Sequence, residues 1–263
     1  MPLKFSANLT MMFTEVDDRI ARIGEAAEAG FGACEYIFIY DLPVDDIRRE
    51  MDRTGLEMSV INIAVGEGVQ MGDLVAAVPG KEDKFRENVD AAVKYCAALR
   101  PTAMVIPAYR PPEGISREVA VETFKKNVPY AADALGEIGI PVLIEALSPK
   151  LRPNSILTTT AEVMEVLEEV NHPNLGIEYD AFHMYQTEDD MAGVVEKHLD
   201  LIGNIQIADV PGRGEPGTGE IDYPAFLGAL DRMGYDKWVA LEYEPTGSTL
   251  DSLAWMAPWK NAA

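Results

Sequence analysis

Residues 175–180 (Leu175-Gly176-Ile177-Glu178-Tyr179-Asp180), a helical stretch near 189–199, and residues 202–209 (Ile202-Gly203-Asn204-Ile205-Gln206-Ile207-Ala208-Asp209) read as strand, helix and strand in turn. A helix between two short apolar strands rules out a hairpin. The strands must instead lie parallel, joined by a right-handed crossover. The same unit recurs on either side. Upstream lie a strand at 141–146 and a helix that opens on a capping box, Thr159 with Glu162 three residues on. Downstream come a helix from near Tyr223, a strand at 238–243 and a last helical segment through Trp255.

The N-terminal half repeats the pattern. Strands are expected at 3–8, 32–38, 56–63 and 103–107, with helices at 16–29 and near 44–53. A glycine-rich loop follows the third strand. The helix from about Lys81 then carries Phe85, Val89, Ala92, Val93 and Cys96 along one stripe. A helix at 116–138 turns Val121, Phe124, Val128, Ala132 and Leu135 inward, with a kink at Pro129. Eight such units in 263 residues place the chain in the α/β class. They predict a closed (β/α)8 TIM barrel, one domain over residues 1–263, in preference to an open doubly wound sheet.

Composition narrows the partners. A formal net charge of −22 argues against nucleic acid and anionic membrane, which are themselves polyanions. No apolar run approaches the roughly 20 residues that cross a bilayer. The start, Met1-Pro2-Leu3-Lys4-Phe5, enters a strand with no basic leader before it. Cys34 and Cys96 suit the core of a protein in a reducing compartment, so a cytoplasmic setting is expected. The composition allows a homo-oligomer.

The chemistry should sit where barrel strands end. The fifth strand ends in Glu145 and the sixth in Asp180; the seventh carries Gln206 and then Asp209, and the eighth Glu242 and Glu244. Glu145, Asp180, Gln206 and Glu242, on four consecutive strands, would converge on one small volume. Carboxylates that close repel by several kcal/mol at intermediate dielectric (about 4 kcal/mol per pair near contact), so a single divalent metal ion is the simplest counter-charge. An all-oxygen ligand set favours Mg²⁺ or Mn²⁺, with Co²⁺ tolerated. His183, three residues past Asp180, is a fifth ligand, a substrate hydrogen-bond donor or a loop residue, and the donor role is favoured because Asp180 fills the nearest ligand position. His172 and His198 read as surface or structural. Gly212-Arg213-Gly214-Glu215-Pro216-Gly217 satisfies G-x-G-x-x-G, but Pro216 blocks a helix there and only one strand remains, so a dinucleotide site is not expected. It reads better as a mouth loop aiming Arg213 at a substrate oxyanion or carboxylate.

At these residues the chain resembles the hydroxypyruvate isomerase family, within the wider group of xylose-isomerase-like barrels that includes ketose 3-epimerases. The likeness starts at Ser6-Ala7-Asn8-Leu9-Thr10-Met11-Met12-Phe13-Thr14-Glu15 and continues through Ala29-Gly30-Phe31, Glu35 and Val78-Pro79-Gly80. It is strongest in Tyr179-Asp180-Ala181-Phe182-His183-Met184, in residues 203–209 and in Glu215-Pro216-Gly217-Thr218-Gly219-Glu220-Ile221, and it ends with Asp231-Arg232-Met233-Gly234-Tyr235 and Glu242-Tyr243. The resemblance implies that Glu145, Asp180, Gln206 and Glu242 hold the metal, that Glu145 and Glu242 double as acid and base, and that His183 and Arg213 contact substrate. It further implies isomerisation of a small hydroxy-carbonyl compound, hydroxypyruvate to tartronate semialdehyde, through an enediolate, with ketose 3-epimerisation as the alternative. The chain departs from the family at Ala146-Leu147-Ser148-Pro149-Lys150-Leu151-Arg152, at Gly214 where histidine is common, and in the Pro107-Ala108-Tyr109-Arg110-Pro111-Pro112 loop. These departures leave the metal set intact and bear on substrate choice.

Overall fold

The computed structural model describes residues 2–64 and 74–260. Eight strands, β1 (Lys4–Asn8), β2 (Ala33–Tyr36), β3 (Glu57–Asn62), β4 (Ala103–Pro107), β5 (Val142–Glu145), β6 (Leu175–Asp180), β7 (Ile202–Ile207) and β8 (Trp238–Leu241), form a closed parallel barrel. Closure is made by β1 on β8, with Phe5 opposite Val239 and Ala7 opposite Leu241. The helices are α1 (Arg22–Glu28), α2 (Val44–Thr54), α3 (Glu82–Leu99), α4 (Arg117–Gly136), α5 (Thr160–Val170), α6 (Ala181–Met184), α7 (Met191–His198), α8 (Tyr223–Met233), α9 (Thr249–Ser252) and α10 (Ala257–Lys260). The (β/α)8 fold expected from the alternation is the fold observed. Most of the glycine-rich loop, residues 65–73, lies outside the described residues. No described helix is long and apolar enough to cross a membrane.

Element ends differ from the sequence reading for local reasons. The first helix begins at Arg22 and not near residue 16, because Asp18 Oδ1 accepts the Ile20 N–H at 2.9 Å and so satisfies that backbone group in a turn. β2 stops at Tyr36 because Thr10 Oγ1 takes the Ile37 N–H at 3.0 Å, diverting it from the ladder. β7 stops at Ile207 where the Tyr223 hydroxyl accepts the Ala208 N–H at 3.1 Å. The capping box on α5 is offset by one residue: Thr159 Oγ1 accepts the Glu162 N–H, while Glu162 Oε2 reaches the N–H of Thr158 at 2.6 Å. α4 runs on through Pro129 as a single helix.

The stripes on the outer helices meet the barrel wall. Phe85, Val89, Ala92 and Cys96 on α3 and Phe124, Val128, Ala132 and Leu135 on α4 are buried, whereas Val93 and Val121 only pack against the core from its edge. Inside the lower barrel, Val60, Ala103, Val105 and Leu143 form a separate small apolar cluster. Above it the interior turns polar, and that change positions the site.

Candidate active site

Register carries the acidic side chains to one level. Glu145 on β5 lies opposite Glu178 on β6, Asp180 lies opposite Gln206 on β7, and Asn8 on β1 lies opposite Glu35 on β2. Glu35, Glu145, Asp180, Gln206 and Glu242 are all buried. Glu145, Asp180 and His183 each present a ligand atom, all within 4.8 Å of one another. At that spacing two ionised carboxylates repel by about 3 kcal/mol or more at an effective dielectric of about 20.

Glu242 lies outside that three-residue group, and Arg213 holds it. The Arg213 guanidinium donates to Glu242 Oε2 through Nη2 and to the Glu242 carbonyl through Nε at 3.2 Å, and it stands 3.6 Å from Asp180 Oδ2. Its Cζ lies over the Phe182 ring, 4.8 Å from the ring centre. The carboxyl groups of Glu242 and Asp180 thus share one guanidinium, whose single charge is outnumbered by the buried carboxyl groups of Glu35, Glu145, Glu178, Asp180 and Glu242.

Burial drives the titration of these groups. It pushes the Glu145 carboxyl well above the usual range, with Glu242 and Asp180 adding to the rise. It pushes Glu242 up to about 7 against the pull of Arg213, and it raises Asp180 likewise. Glu35 is pushed up to about 8 by burial and then by Glu242, with its bonds from Asn8 and Gln206 opposing. His183 moves the other way: burial first, then Arg213 and Arg152, hold the imidazole neutral.

The fit of this cluster to a metal ion rests on oxygens that the protein itself leaves unused. Asp180 Oδ2 and Gln206 Oε1 are buried and make no hydrogen bond. Unmet buried acceptors of this kind are costly, about 1–3 kcal/mol each, unless something binds them. His183 has a different standing. Its Nδ1 accepts the Ser148 N–H at 3.2 Å, so the neutral ring carries its proton on Nε2. Nε2 then stands 3.6 Å from Asp180 Oδ2 as a donor.

The loop after β7 sets Arg213. Asp209 Oδ1 accepts the N–H groups of Val210 and Ile221 at 2.9 and 3.0 Å, and Oδ2 those of Gly217 and Gly219 at 2.8 and 2.9 Å. Arg213 is held at φ 58°, a left-handed conformation that costs a non-glycine residue roughly 1 kcal/mol or more, and its carbonyl accepts the Glu244 N–H at 2.8 Å. A Cβ on Gly214 would meet Thr218 Oγ1 at 2.7 Å, so a larger residue there requires the Thr218 side chain to move. The G-x-G-x-x-G stretch therefore forms a capped loop, and the next helix, α8, opens only at Tyr223. Asp209→Ala strips four N–H groups of their acceptor; the expected loss is about 2–4 kcal/mol. The melting temperature should fall by roughly 5–10 °C in thermal unfolding. An unchanged melting temperature would show that Asp209 does not hold the loop.

A cavity of about 520 Å³ opens over the cluster. Thr10, Phe38, Asn62, Tyr109, Leu147 and Arg152 line it along with Glu145, His183, Arg213 and Glu242. Reading the last four strands alone missed Glu35 and Asn8. Their signal was the one that marked Glu145, a polar residue at the end of an apolar strand. His172 is bound to Asp133 at 3.0 Å on the outside of the barrel, away from this cavity.

A parallel barrel with buried carboxyl groups collected at the C-terminal ends of its strands defines the class of (β/α)8 enzymes. A family model described as a xylose isomerase-like TIM barrel matches residues 23–259, and the chain belongs to that family. It is 37% identical over 258 residues to the 2-oxo-tetronate isomerase of Pectobacterium atrosepticum, covering 97% of each chain. It is 36% identical to the hydroxypyruvate isomerase of Escherichia coli, over 98% of this chain and all of that one. A solved structure from Brucella melitensis, described as an AP endonuclease of family 2, superposes with a TM-score of 0.89 at 38% identity, covering 98% of this chain and 99% of that one. With relatives named as isomerases aligned along nearly its whole length, this protein is an isomerase.

Proposed function

We propose that the chain, as a single barrel domain, isomerises short 2-oxo acids bearing a hydroxyl on the neighbouring carbon, foremost hydroxypyruvate to tartronate semialdehyde. The observation that carries the acid reading is the lining of the cavity. In a chain of net charge −22, two guanidinium groups, Arg152 and Arg213, face the same 520 Å³ space. Hydroxypyruvate and 2-oxo-tetronate, the compounds named for the two relatives, share that 2-oxo-3-hydroxy arrangement and differ by one hydroxymethyl group. One site chemistry serves both.

Glu145, Asp180, Gln206 and Glu242 would hold one divalent ion, Mg²⁺, Mn²⁺ or Co²⁺, which when bound supplies a Lewis acid that makes the C–H beside the substrate carbonyl more acidic. A glutamate of the Glu145 and Glu242 pair takes the C3 proton. The C–H electrons form the C2=C3 bond, and negative charge moves to the C2 oxygen, giving the enediolate. His183 Nε2–H donates toward a substrate oxygen, and Arg213 contributes positive charge beside Glu242. The proton is returned to C2, the C3 hydroxyl proton passes to the C2 oxygen, and C3 becomes the aldehyde. Proton return to the opposite face of the same carbon would give an epimer instead, so a ketose 3-epimerase is the runner-up. The departures along residues 146–152 that bring the apolar Leu147 to the cavity wall favour it.

Cleavage of DNA, the activity in the description of the Brucella structure, sits badly with a net charge of −22, because duplex DNA is a dense polyanion. A cytoplasmic setting accords with Cys34 and Cys96, both buried as free thiols. The acid reading is tested with Arg213→Ala, which should raise KM for hydroxypyruvate by about 10–100-fold and far more than for a neutral ketose. A kcat/KM for a neutral hexulose at least about tenfold above that for hydroxypyruvate, more than one missing contact explains, would transfer the assignment to the epimerase.

A further inference from the structure

Glu35 lies outside the four residues proposed as ligands, yet two amide groups of the site converge on one of its oxygens. Gln206 Nε2 donates to Glu35 Oε1 at 3.2 Å, and Asn8 Nδ2 donates to the same oxygen at 2.7 Å. Asn8 cannot turn its amide over, because its Oδ1 accepts the Thr10 N–H at 3.0 Å. Its Nδ2 also reaches Glu242 Oε1 at 3.4 Å. Glu35 and Asn8 are 1% and 0% exposed, so no water competes for these bonds.

A glutamine amide has two ends of similar shape and opposite character. Only the oxygen can ligate a cation; the NH₂ end would turn two positive hydrogens toward it. With Nε2 committed to Glu35, Oε1 is left as the buried oxygen without a partner. We propose that Glu35 is a positioning residue for metal binding: it anchors the NH₂ end of Gln206 so that the carbonyl end faces the cation, and through Asn8 it steadies Glu242. The inference rests on the reading of Gln206 and Glu242 as ligands. It assigns Glu35 no contact with substrate. Partners behind a ligand commonly alter metal affinity by about 10–100-fold when removed.

The decisive property is where the acceptor stands, and it is separable from charge. Glu35→Gln keeps an acceptor oxygen at the same reach and removes the charge. Glu35→Asp keeps the charge and withdraws the acceptor by one methylene. Mn²⁺ binding to the metal-stripped full-length protein, followed by electron paramagnetic resonance of the free ion, reads the difference without any substrate. Thermal unfolding of the same samples reports folding. Glu35→Gln should bind Mn²⁺ within about threefold of the wild type, while Glu35→Asp and Glu35→Ala should bind about 10–100-fold more weakly. In a Gln206→Ala background, Glu35→Ala should then cost less than it does in the wild type, because only the route through Asn8 to Glu242 remains to be lost. If Glu35→Ala fails to fold, the contrast between the Gln and Asp variants still decides. Equal affinity for all variants, or equal losses for Gln and Asp, would overturn the proposal while leaving the metal site in place. A wild-type protein that binds no Mn²⁺ would instead overturn the ligand reading beneath it.

Discussion

Exhaustive chelation should abolish turnover, and Mn²⁺, Co²⁺ or Mg²⁺ added back should restore it. The expectation follows from charge and from unmet bonds. Glu145 and Asp180 offer oxygens within 4.8 Å of each other, and Asp180 Oδ2 and Gln206 Oε1 accept no hydrogen bond. Arg213 answers part of the negative charge, but its contacts run to Glu242 and to one side of Asp180. Glu145 accepts no hydrogen bond from it. An oxygen-rich set of this kind suits a hard dication. The check is activity together with elemental analysis of the stripped protein; full activity with no metal present would remove the cation from the mechanism.

The second large effect should come from the two glutamates themselves. Glu145→Gln or Glu242→Gln leaves an oxygen that can still ligate but no base, so metal content should persist while kcat falls by about 10²–10⁴-fold. The two variants need not behave alike. Glu242 is bonded to Arg213 and faces Asn8, so its replacement also removes the charge that pairs a half-buried guanidinium, whereas Glu145 accepts no hydrogen bond from Arg213. Stopped-flow or steady-state rates at saturating metal separate a loss of chemistry from a loss of loading. Near-normal kcat in metal-loaded Glu242→Gln would make Glu242 a ligand only and would end the two-carboxylate scheme.

The barrel was legible because its signal is repeated. Eight apolar runs alternate with helices whose buried stripes, such as Phe124, Val128, Ala132 and Leu135, recur at helical spacing. The acidic ends of β5, β6 and β8 were legible for a related reason: a charged residue closing an inward-facing apolar strand has few structural uses. What escaped the reading depends on partners distant in sequence. Glu35 gains its place only when β2 lies beside β1 and across from β7, where Asn8 and Gln206 reach it. The start of α1 turns on the Asp18 side chain capturing backbone N–H groups, a contest that periodicity does not record. Arg213 was correctly placed in a mouth loop, but not its bond to Glu242, which requires the loop to be tied down by Asp209. His183 was read as a donor for want of a vacant ligand position. In the structure the Ser148 N–H occupies Nδ1, which leaves the proton of the neutral ring on Nε2.

The central claim is proton-transfer isomerisation of a short 2-oxo-3-hydroxy acid, and proton NMR in D₂O tests it most directly. Mg²⁺-loaded enzyme free of Mn²⁺ would be given hydroxypyruvate, 2-oxo-tetronate and a panel of neutral ketoses. The account predicts conversion of the acids to their aldehyde or 3-oxo isomers, with solvent deuterium appearing on the carbon that receives the proton, and slow or no change in the ketoses. Unaltered acids beside a neutral ketose epimerised at C3 would contradict it.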